Sequence, residues 1–530
     1  MKNRTKNLID FKRRENGVLQ AYLITSFYIA WLFIFVILFF STVKQYEHKL
    51  FIITLTIIFY GGILGFVLRY RRIMDGLSNR IVCMVIFSAL LLMLILLLVS
   101  GCAMCIAPFN DTGSTYYAAA EVLQHGHIST EINQYTSCYW ATHTSNHDYF
   151  LIYPNNLFLV FYQVCYYKIL SFFLPVDMYS VSGYHAAVLL NSLSIVSAVG
   201  CGVFTAKKCR GNCGAILFLL FSVLFIPYYL HAYKAYSDTL SMPYMSAALF
   251  CFVLSRKTGS FTISSFQNVF LCGIFLVLGI LIKGSALILL VAFIICLILQ
   301  SKPLKQKLME LTLLSLTVLV LLNSWSVYKD NCSWIDTSRA DELEIPSIHW
   351  IMMASIGSGG YRQSDFDYTQ SYPDLAQKKA AVLEEFLRRV KSYGSCSDFL
   401  QFEIQKVAAV LADGKYAQKE HLELTFSSAP GLSNWVSEEG EYYDLFYCYI
   451  TIFITLFYFS ILISILLRIF TKKTLHIDML FQIIIFGSYL FFSFWEFKSR
   501  YLLNFVPVYM LILVFSWIDW ERFLSGKKHF

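Results

Sequence analysis

Pro108-Phe109-Asn110-Asp111-Thr112-Gly113-Ser114-Thr115-Tyr116-Tyr117 follows directly on a hydrophobic span and leads into Ala118-Ala119-Ala120-Glu121. A long apolar run that ends in a short polar stretch marks a place where a chain leaves a bilayer. The fold then turns on how many such runs there are and on which side each one ends. An acid at that exit meets a polar substrate and a lipid tail together, which makes Asp111 the first candidate for chemistry.

Of 530 residues, 57% are hydrophobic, 17% aromatic and only 14% charged. That balance describes an integral membrane protein, not a soluble domain with one anchor. The formal charge of +8 does not point to nucleic acid, because Lys and Arg stand in short clusters between apolar runs, as topology signals do. Most of the fourteen cysteines, Cys83, Cys201, Cys251, Cys272 and Cys296 among them, lie in apolar spans and behave as small hydrophobes. Cys138, Cys332 and Cys396 fall in polar loops and are free to pair. No Cys/His spacing suits zinc. The run from Ala21 to Phe40 is too long for a cleaved leader and reads as a retained first helix.

The basic segment of Lys2, Arg4, Lys6, Lys12, Arg13 and Arg14 sets the N-terminus on the cytoplasmic side. Helices near 21–40, 51–67 and 81–106 then alternate around a second basic cluster of Arg69, Arg71, Arg72 and Arg80, so the loop after Pro108 is external. From there to Tyr149 it holds no Lys or Arg. If Tyr153 to Leu174 crossed, Lys207, Lys208 and Arg210 would end outside. The segment is therefore expected to lie in the outer leaflet as a helix or helical hairpin opened by Pro154.

Further crossings near 184–204, 215–230, 240–254 and 269–282 alternate with Arg256 and Lys257 inside; the chain then turns at Lys283-Gly284-Ser285, returns to Lys302, Lys305 and Lys307 inside, and goes out again near 311–327. Hydrophobic runs stop over 328–444, an external segment with helical periodicity between Asp374 and Val410. Three last helices in 445–530 place Arg468, Lys472, Lys473, Lys527 and Lys528 inside. The expectation is an all-α polytopic membrane protein of about twelve transmembrane helices with both termini cytoplasmic. Residues 1–327 form its N-terminal module, with the external loop at 108–150 and juxtamembrane helices at 151–175.

Polar residues at external helix ends form three groups. Asp111 shares a polar loop with Glu121, His125 and His127. It is an N-cap of a short helix from Thr115 to Gln124, with Gly126 past its end, or a general base for an acceptor, and the two roles are compatible. In His231-Ala232-Tyr233-Lys234-Ala235-Tyr236-Ser237-Asp238, Asp238 is likewise a cap or a second acid of the same site. Lys283 and Arg500 are either surface charges, Arg500 in an i,i+4 pair with Glu496, or a grip on the phosphate of a lipid-linked donor. A lipid headgroup would suit them as well.

Asp111 with Tyr-Tyr-Ala-Ala-Ala-Glu121 and His125-Gly126, then Tyr153-Pro154-Asn155-Asn156, Tyr236-Ser237-Asp238 and Glu496-Phe-Lys498-Ser-Arg500-Tyr501-Leu502, resembles the pattern of GT-C-type membrane glycosyltransferases. That class includes the protein O-mannosyltransferases and lipid A aminoarabinose transferases, and the chain is similar in flavour to Gram-positive enzymes that decorate cell-surface polymers. The resemblance implies an inverting transfer of a sugar from a polyprenyl-phosphate-type donor to a glycan, lipid or protein acceptor at the outer face of the cell membrane. It implies Asp111 and Asp238 as catalytic acids, and Arg500, Lys283 and Lys498 at the donor phosphate. Glu121, His125, Tyr153, Asn155, Glu496 and His349 would line the substrate.

Two features depart from the pattern. Leu151-Ile152-Tyr153 stands where aminoarabinose transferases carry a Lys before the proline, and no Asp-x-Asp pair stands in the first loop. The second departure suggests a reaction without a bound cofactor, a divalent metal being the one alternative. The segment Pro346-Ser-Ile-His349-Trp350 with Gly357, Gly359 and Gly360 is similar to the Gram-positive subgroup, its glycines forming a lid or a plain loop. A transporter or flippase of lipid-linked sugars needs charges near the bilayer midplane, whereas here they stand at helix ends. A surface polysaccharide polymerase or ligase shares the location and stays open.

Overall fold

The computed structural model describes residues 2–136, 144–256, 263–300, 302–417, 430–470 and 477–525, with side chains from residue 20 onward and without that of 430. Cys138, Lys257, Lys472, Lys473, Lys527, Lys528 and the side chains of the N-terminal basic segment lie outside the described residues. Every regular element among the described residues is helical.

Three helices come first: α1 (Lys2–Val43), α2 (Lys49–Gly76) and α3 (Asn79–Ala103). Each is apolar over at least the roughly 20 residues that a bilayer requires. Phe33 and Phe87 on their outer faces are each 70% exposed, an arrangement that is stable against lipid and costly against water.

A short-helix region follows with α4 (Asn110–His125), α5 (Asn146–Ile152), a 3-10 turn at Pro154–Asn156 and α6 (Leu157–Leu170). At about 1.5 Å per residue, the fourteen residues of α6 fall short of a hydrocarbon core roughly 30 Å thick. The stretch from Pro154 is thus one short helix behind a proline-opened turn, not a hairpin.

α7 (Val181–Leu224) contains a reversal. Gly211 has φ 78° in its interior, a conformation that side-chain-bearing residues avoid. A Cβ on Gly202 would run into the Phe218 ring, and one on Gly214 would meet the Ala206 carbonyl oxygen at 2.9 Å. Residues 202 and 218 would stand about 24 Å apart in a straight helix, so the two halves fold back as an antiparallel hairpin. Its tip is fastened to the α2–α3 turn, where the Cys213 N–H donates to Asp75 Oδ1 (2.9 Å) and Asn212 Nδ2 to the Leu77 carbonyl (3.1 Å).

The chain continues through α8 (Ile226–Leu230), α9 (Ser237–Leu240), α10 (Met242–Ser255), α11 (Ile263–Ile282), α12 (Leu287–Leu299) and α13 (Leu304–Asp330). Next come α14 (Ala340–Leu343), α15 (Ile348–Ala354), α16 (Gln363–Gln370), α17 (Leu375–Ser392), α18 (Cys396–Ala412) and α19 (Pro430–Val436). α20 (Tyr443–Phe470), α21 (Ile477–Phe494), a 3-10 turn at Ser499–Phe505 and α22 (Val506–Leu524) end the described chain.

Among the described residues, ten helical stretches are long and apolar enough to cross a membrane. The α7 hairpin is counted once among them but supplies two legs, and the shorter Gly284–Leu299 stretch supplies another. Twelve apolar legs therefore stand where the sequence leads one to expect twelve crossings, and the protein is an all-α polytopic membrane protein.

Charge separates the two ends of this bundle. Near the α7 turn, Arg210 and Arg468 share Asp478 and Asp519: Arg210 Nη2 lies 2.9 Å from Asp478 Oδ1 and 2.8 Å from Asp519 Oδ2, and Arg468 Nη2 lies 2.6 Å from Asp519 Oδ2. All four side chains are buried, so each charge depends on the others. Arg71, on α2, joins this end through Glu521. Asp519 stands in the last turns of α22 while Arg500 stands in the 3-10 turn that leads into it, which puts Arg500 and its neighbours at the other end.

The segment after α13 does not stand apart as a separate body. Val407 and Leu411 of α18 belong to the same apolar core as Trp31, Phe457 and Trp517, and the Tyr458 hydroxyl donates to the Leu411 carbonyl (2.7 Å). Buried Lys406 donates to the Ala354 carbonyl (3.2 Å) and to that of Ser493, tying α15 to α21. The glycine-rich turn is pinned too, since the Phe497 N–H donates to the Gly359 carbonyl (3.1 Å) and Gly359 (φ 73°) packs on the Lys406 stem. It is a docking turn, and the lid expectation gives way to it. Cys332 and Cys396 are free thiols.

Candidate active site

α4 starts five residues earlier than the sequence suggests. Asn110 takes a left-handed conformation (φ 51°), and Phe109, in extended backbone, is the N-cap with no side-chain cap bond. Asp111 therefore sits inside the first turn, and the expectation that it caps the helix is corrected. Its carboxylate serves tertiary contacts instead: Oδ1 accepts from the Tyr149 hydroxyl (3.1 Å) and Oδ2 lies 3.6 Å from Arg500 Nη2. Gly126 ends α4 in the left-handed conformation (φ 79°), as its sequence predicts.

Asp238 stands at the second position of the short helix α9, whose N-cap is Tyr236 without a side-chain cap bond. One of its oxygens pairs with Lys283 Nζ and the other lies 3.1 Å from Arg500 Nη1. Arg500 thus bridges two acids that the chain separates by more than a hundred residues. The Asp238 side chain is 5% exposed and that of Asp111 24%, so of the two only Asp111 can meet a substrate.

Aromatic rings complete the cluster. The Arg500 guanidinium carbon lies 5.4 Å from the Tyr236 ring centre and 5.2 Å from that of Tyr501, and Lys283 Nζ lies 4.6 Å from the latter. The Tyr501 hydroxyl donates to Glu496 Oε2 (2.6 Å). An i,i+4 pair between Glu496 and Arg500 does not form, because Arg500 is engaged by Asp238 and Asp111.

Several residues expected at the site are elsewhere. Glu121 is a buried brace that accepts from the Ser129 N–H (2.9 Å) and Asn146 Nδ2 (2.8 Å), and burial raises its carboxyl despite those bonds. His125 is exposed at the far end of α4, its ring 6.2 Å from that of His127. His349 is fully buried, with Nδ1 2.7 Å from the Thr369 hydroxyl, and burial lowers its imidazole to about 4. Asn155 is exposed and Lys498 lies over the Tyr361 ring at 5.7 Å. Tyr153 is buried between the rings of Tyr149 (5.1 Å) and Trp350 (6.0 Å). Glu121, His125, His349 and Asn155 are local braces and surface groups, whereas Asp111, Asp238, Lys283 and Arg500 form one constellation, with Tyr153 packed behind Tyr149 at its edge.

Three residues that the sequence did not single out take part. Asn156 Nδ2 donates to the Tyr149 hydroxyl (2.7 Å), which in turn donates to Asp111. The 3-10 turn opened by Pro154 directs Asn156 inward and Asn155 outward, so the motif was legible but not the choice between its two asparagines. Lys234 is buried beside the cluster on a loop that Asn191 pins by donating to the carbonyls of His231 (2.7 Å) and Ala232 (3.0 Å). Burial, with Arg500 repelling, lowers the Lys234 ammonium to about 7, although Asp238 and Asp111 attract its charge.

Tyr149→Phe removes the hydroxyl that orients Asp111. A hydrogen bond to a charged group is worth about 1.5–3 kcal/mol, so turnover in a transfer assay is expected to fall by about 10- to 150-fold. An unchanged rate would show that Asp111 needs no such support.

Residues 16–520 match the model of a family described as conserved hypothetical integral membrane proteins, and the chain belongs to that family. No curated protein matches the sequence. Among solved structures, ArnT from Cupriavidus metallidurans bound to undecaprenyl phosphate is similar at 12% identity and a TM-score of 0.32, covering 85% of this chain and 79% of that one. The archaeal oligosaccharyltransferase AglB from Archaeoglobus fulgidus, in complex with an inhibitory peptide and a dolichol-phosphate, is similar at 13% identity and a TM-score of 0.40. That match covers 80% of this chain and half of the archaeal one.

Proposed function

We propose that the protein is a GT-C-type glycosyltransferase that moves a sugar, with inversion, from a polyprenyl-phosphate-type donor to a cell-surface acceptor at the outer face of the cell membrane. What supports the reading is the convergence of Asp111 and Asp238 on Arg500 at one end of an apolar bundle. Asp111, the partly exposed acid, is oriented by Tyr149 and backed by a cation, as general-base chemistry beside an anionic leaving group requires.

In this reading Asp111 accepts the proton of the acceptor hydroxyl or amine as its oxygen or nitrogen attacks the anomeric carbon. The carbon–oxygen bond to phosphate breaks, and the polyprenyl phosphate leaves with the electron pair. Asp238 is a positioning residue that fixes Arg500 and Lys283 beside the departing charge. Because Arg500 and Lys283 together compensate both acids, the reading uses no divalent cation.

The basic residues of the α2–α3 turn and the α7 tip share the end opposite Asp111. By the positive-inside rule that end is cytoplasmic, which leaves Asp111 outside and both termini inside. Charges in the legs stand near their ends, which favours surface chemistry over passage through the midplane.

The test is transfer of label from radiolabelled polyprenyl-phosphate sugars by membranes that carry the protein, against membranes that lack it. Incorporation into a surface glycan, lipid or protein is expected. Movement of intact labelled lipid across vesicles without incorporation would overturn the reading in favour of a transporter.

A further inference from the structure

Among the described residues, three besides glycine hold a left-handed backbone: Asn110 (φ 51°), Tyr416 (φ 55°) and Ala417 (φ 56°). Asn110 stands beside Asp111. Tyr416 and Ala417 lie in the turn 413–417 that follows α18. Bulky residues avoid this conformation, and residues that do adopt it occur singly as a rule. Such strain persists only where the surroundings impose it, and it collects at functional sites.

In this turn a carboxylate imposes it. Asp413 Oδ1 accepts from the Lys415 N–H (3.0 Å) and Oδ2 from the Ala417 N–H (2.7 Å), so the chain wraps its own backbone donors around a negative charge. Oδ2 also accepts from the hydroxyl of Ser499 (2.5 Å), a buried residue that directly precedes Arg500. The turn has firm anchors of its own. Tyr416 is buried with its ring 5.7 Å from that of Phe225, and Lys415 Nζ donates to the Tyr443 hydroxyl (3.0 Å). Gly414 lies close against Ile450 and Ile454 of α20. The backbone of Tyr416 also meets the imidazole of His231, on the loop that leads to Asp238.

Arg500 depends on such an anchor. Its approach to Asp111 is 3.6 Å, beyond hydrogen-bond range, whereas its contact with Asp238 is 3.1 Å. A small shift of the Arg500 backbone therefore decides whether the guanidinium spans both acids or withdraws to Asp238 alone. Asp238 sets where the guanidinium points, and Ser499 sets where the side chain starts.

We propose that Asp413 is a positioning residue of the transfer reaction: through the Ser499 hydroxyl its carboxylate fixes the Arg500 backbone, so that the guanidinium serves Asp111 and the departing phosphate together. The proposal rests on the glycosyltransferase reading above and extends it to a turn outside the ion cluster. Negative charge on the phosphate grows as the carbon–oxygen bond breaks. A misplaced Arg500 is therefore felt more in the transition state than in donor binding, and kcat falls more than KM rises.

The experiment measures kcat and donor KM of the full-length protein in membranes, with radiolabelled polyprenyl-phosphate sugar as the donor. Ser499→Ala cuts the link and leaves the bonds inside the turn. Its kcat is expected to fall by about 10- to 100-fold, the scale of a hydrogen bond to a carboxylate, with the donor KM within about threefold of the wild type. Ser499→Thr keeps the hydroxyl and should retain most of the turnover. Asp413→Asn loses the acceptor that faces both Ala417 and Ser499 and should fall at least as far as Ser499→Ala. In an Arg500→Lys background Ser499→Ala should cost little more, because the guanidinium that it places is already gone. Wild-type kcat in Ser499→Ala, an effect confined to KM, or the same fold loss in both backgrounds would overturn the proposal and leave the glycosyltransferase reading intact. If Ser499→Ala does not fold, wild-type kcat in Asp413→Asn overturns it equally. Absence of transfer by the wild type would sink both.

Discussion

Asp111→Asn is expected to lower the turnover number by about 100- to 10,000-fold, the range that general-base assistance supplies. The amide keeps the size of the side chain and can still accept from Tyr149 through its carbonyl oxygen. It cannot take a proton. Arg500 retains Asp238, 3.1 Å away, so the guanidinium is not stranded. The lost ion pair, at 3.6 Å with one partner a quarter exposed, is worth about 0–1 kcal/mol. Donor binding and melting temperature should therefore change little while turnover collapses. Kinetics at saturating radiolabelled donor, beside a melting curve of the same preparation, make the comparison. A folded variant that turns over at the wild-type rate would take the base role from Asp111.

The apolar legs were legible because bilayer thickness imposes one length on every crossing, and basic residues marked their ends. α7 shows the limit. Its forty-four helical residues read as two crossings only because Lys207, Lys208 and Arg210 interrupt the hydrophobicity, and the hinge itself is a single Gly211 among polar neighbours. The charges at its tip carried topology in the sequence. In the structure Arg210 also carries stability, through Asp478 and Asp519, and no local pattern announces a contact across some three hundred residues.

At the site the legible part was chemical type at a helix start. Asp111 and Asp238 each open a helix after an exit from apolar chain, and both lie at the cluster. Neither serves as the cap that the local pattern equally allowed, because Phe109 and Tyr236 occupy those positions in extended backbone. Glu121, His125 and His349 carry suitable functional groups but are turned to loop bracing, solvent and a buried interface. Tyr149 and Lys234 were invisible for the opposite reason. Their contribution depends on which neighbours bury them, and burial is a property of the assembled bundle.

Asp238→Asn is expected to be the most destabilising single change at this end of the bundle. Lys283 and Arg500 converge on its carboxylate, the pairs are almost fully enclosed, and Asp111 reaches Arg500 only at longer range. Removing one partner of a buried ion pair costs about 3–5 kcal/mol, because the stranded charge remains desolvated. The double variant Asp238→Asn, Lys283→Met removes one of the two stranded cations and should recover a substantial part of that loss, since deleting both partners of a buried pair is often close to neutral. Turnover should stay low in both variants, as Arg500 no longer has the buried carboxylate that fixes it. Denaturant or thermal melts of the wild type, these two variants and Lys283→Met alone close the cycle. If Asp238→Asn melts with the wild type, the two cations have other partners and the carboxylate does not organise them. Recovery of stability without recovery of turnover separates the two roles of Asp238, holding the end of the bundle together and holding Arg500 against Asp111.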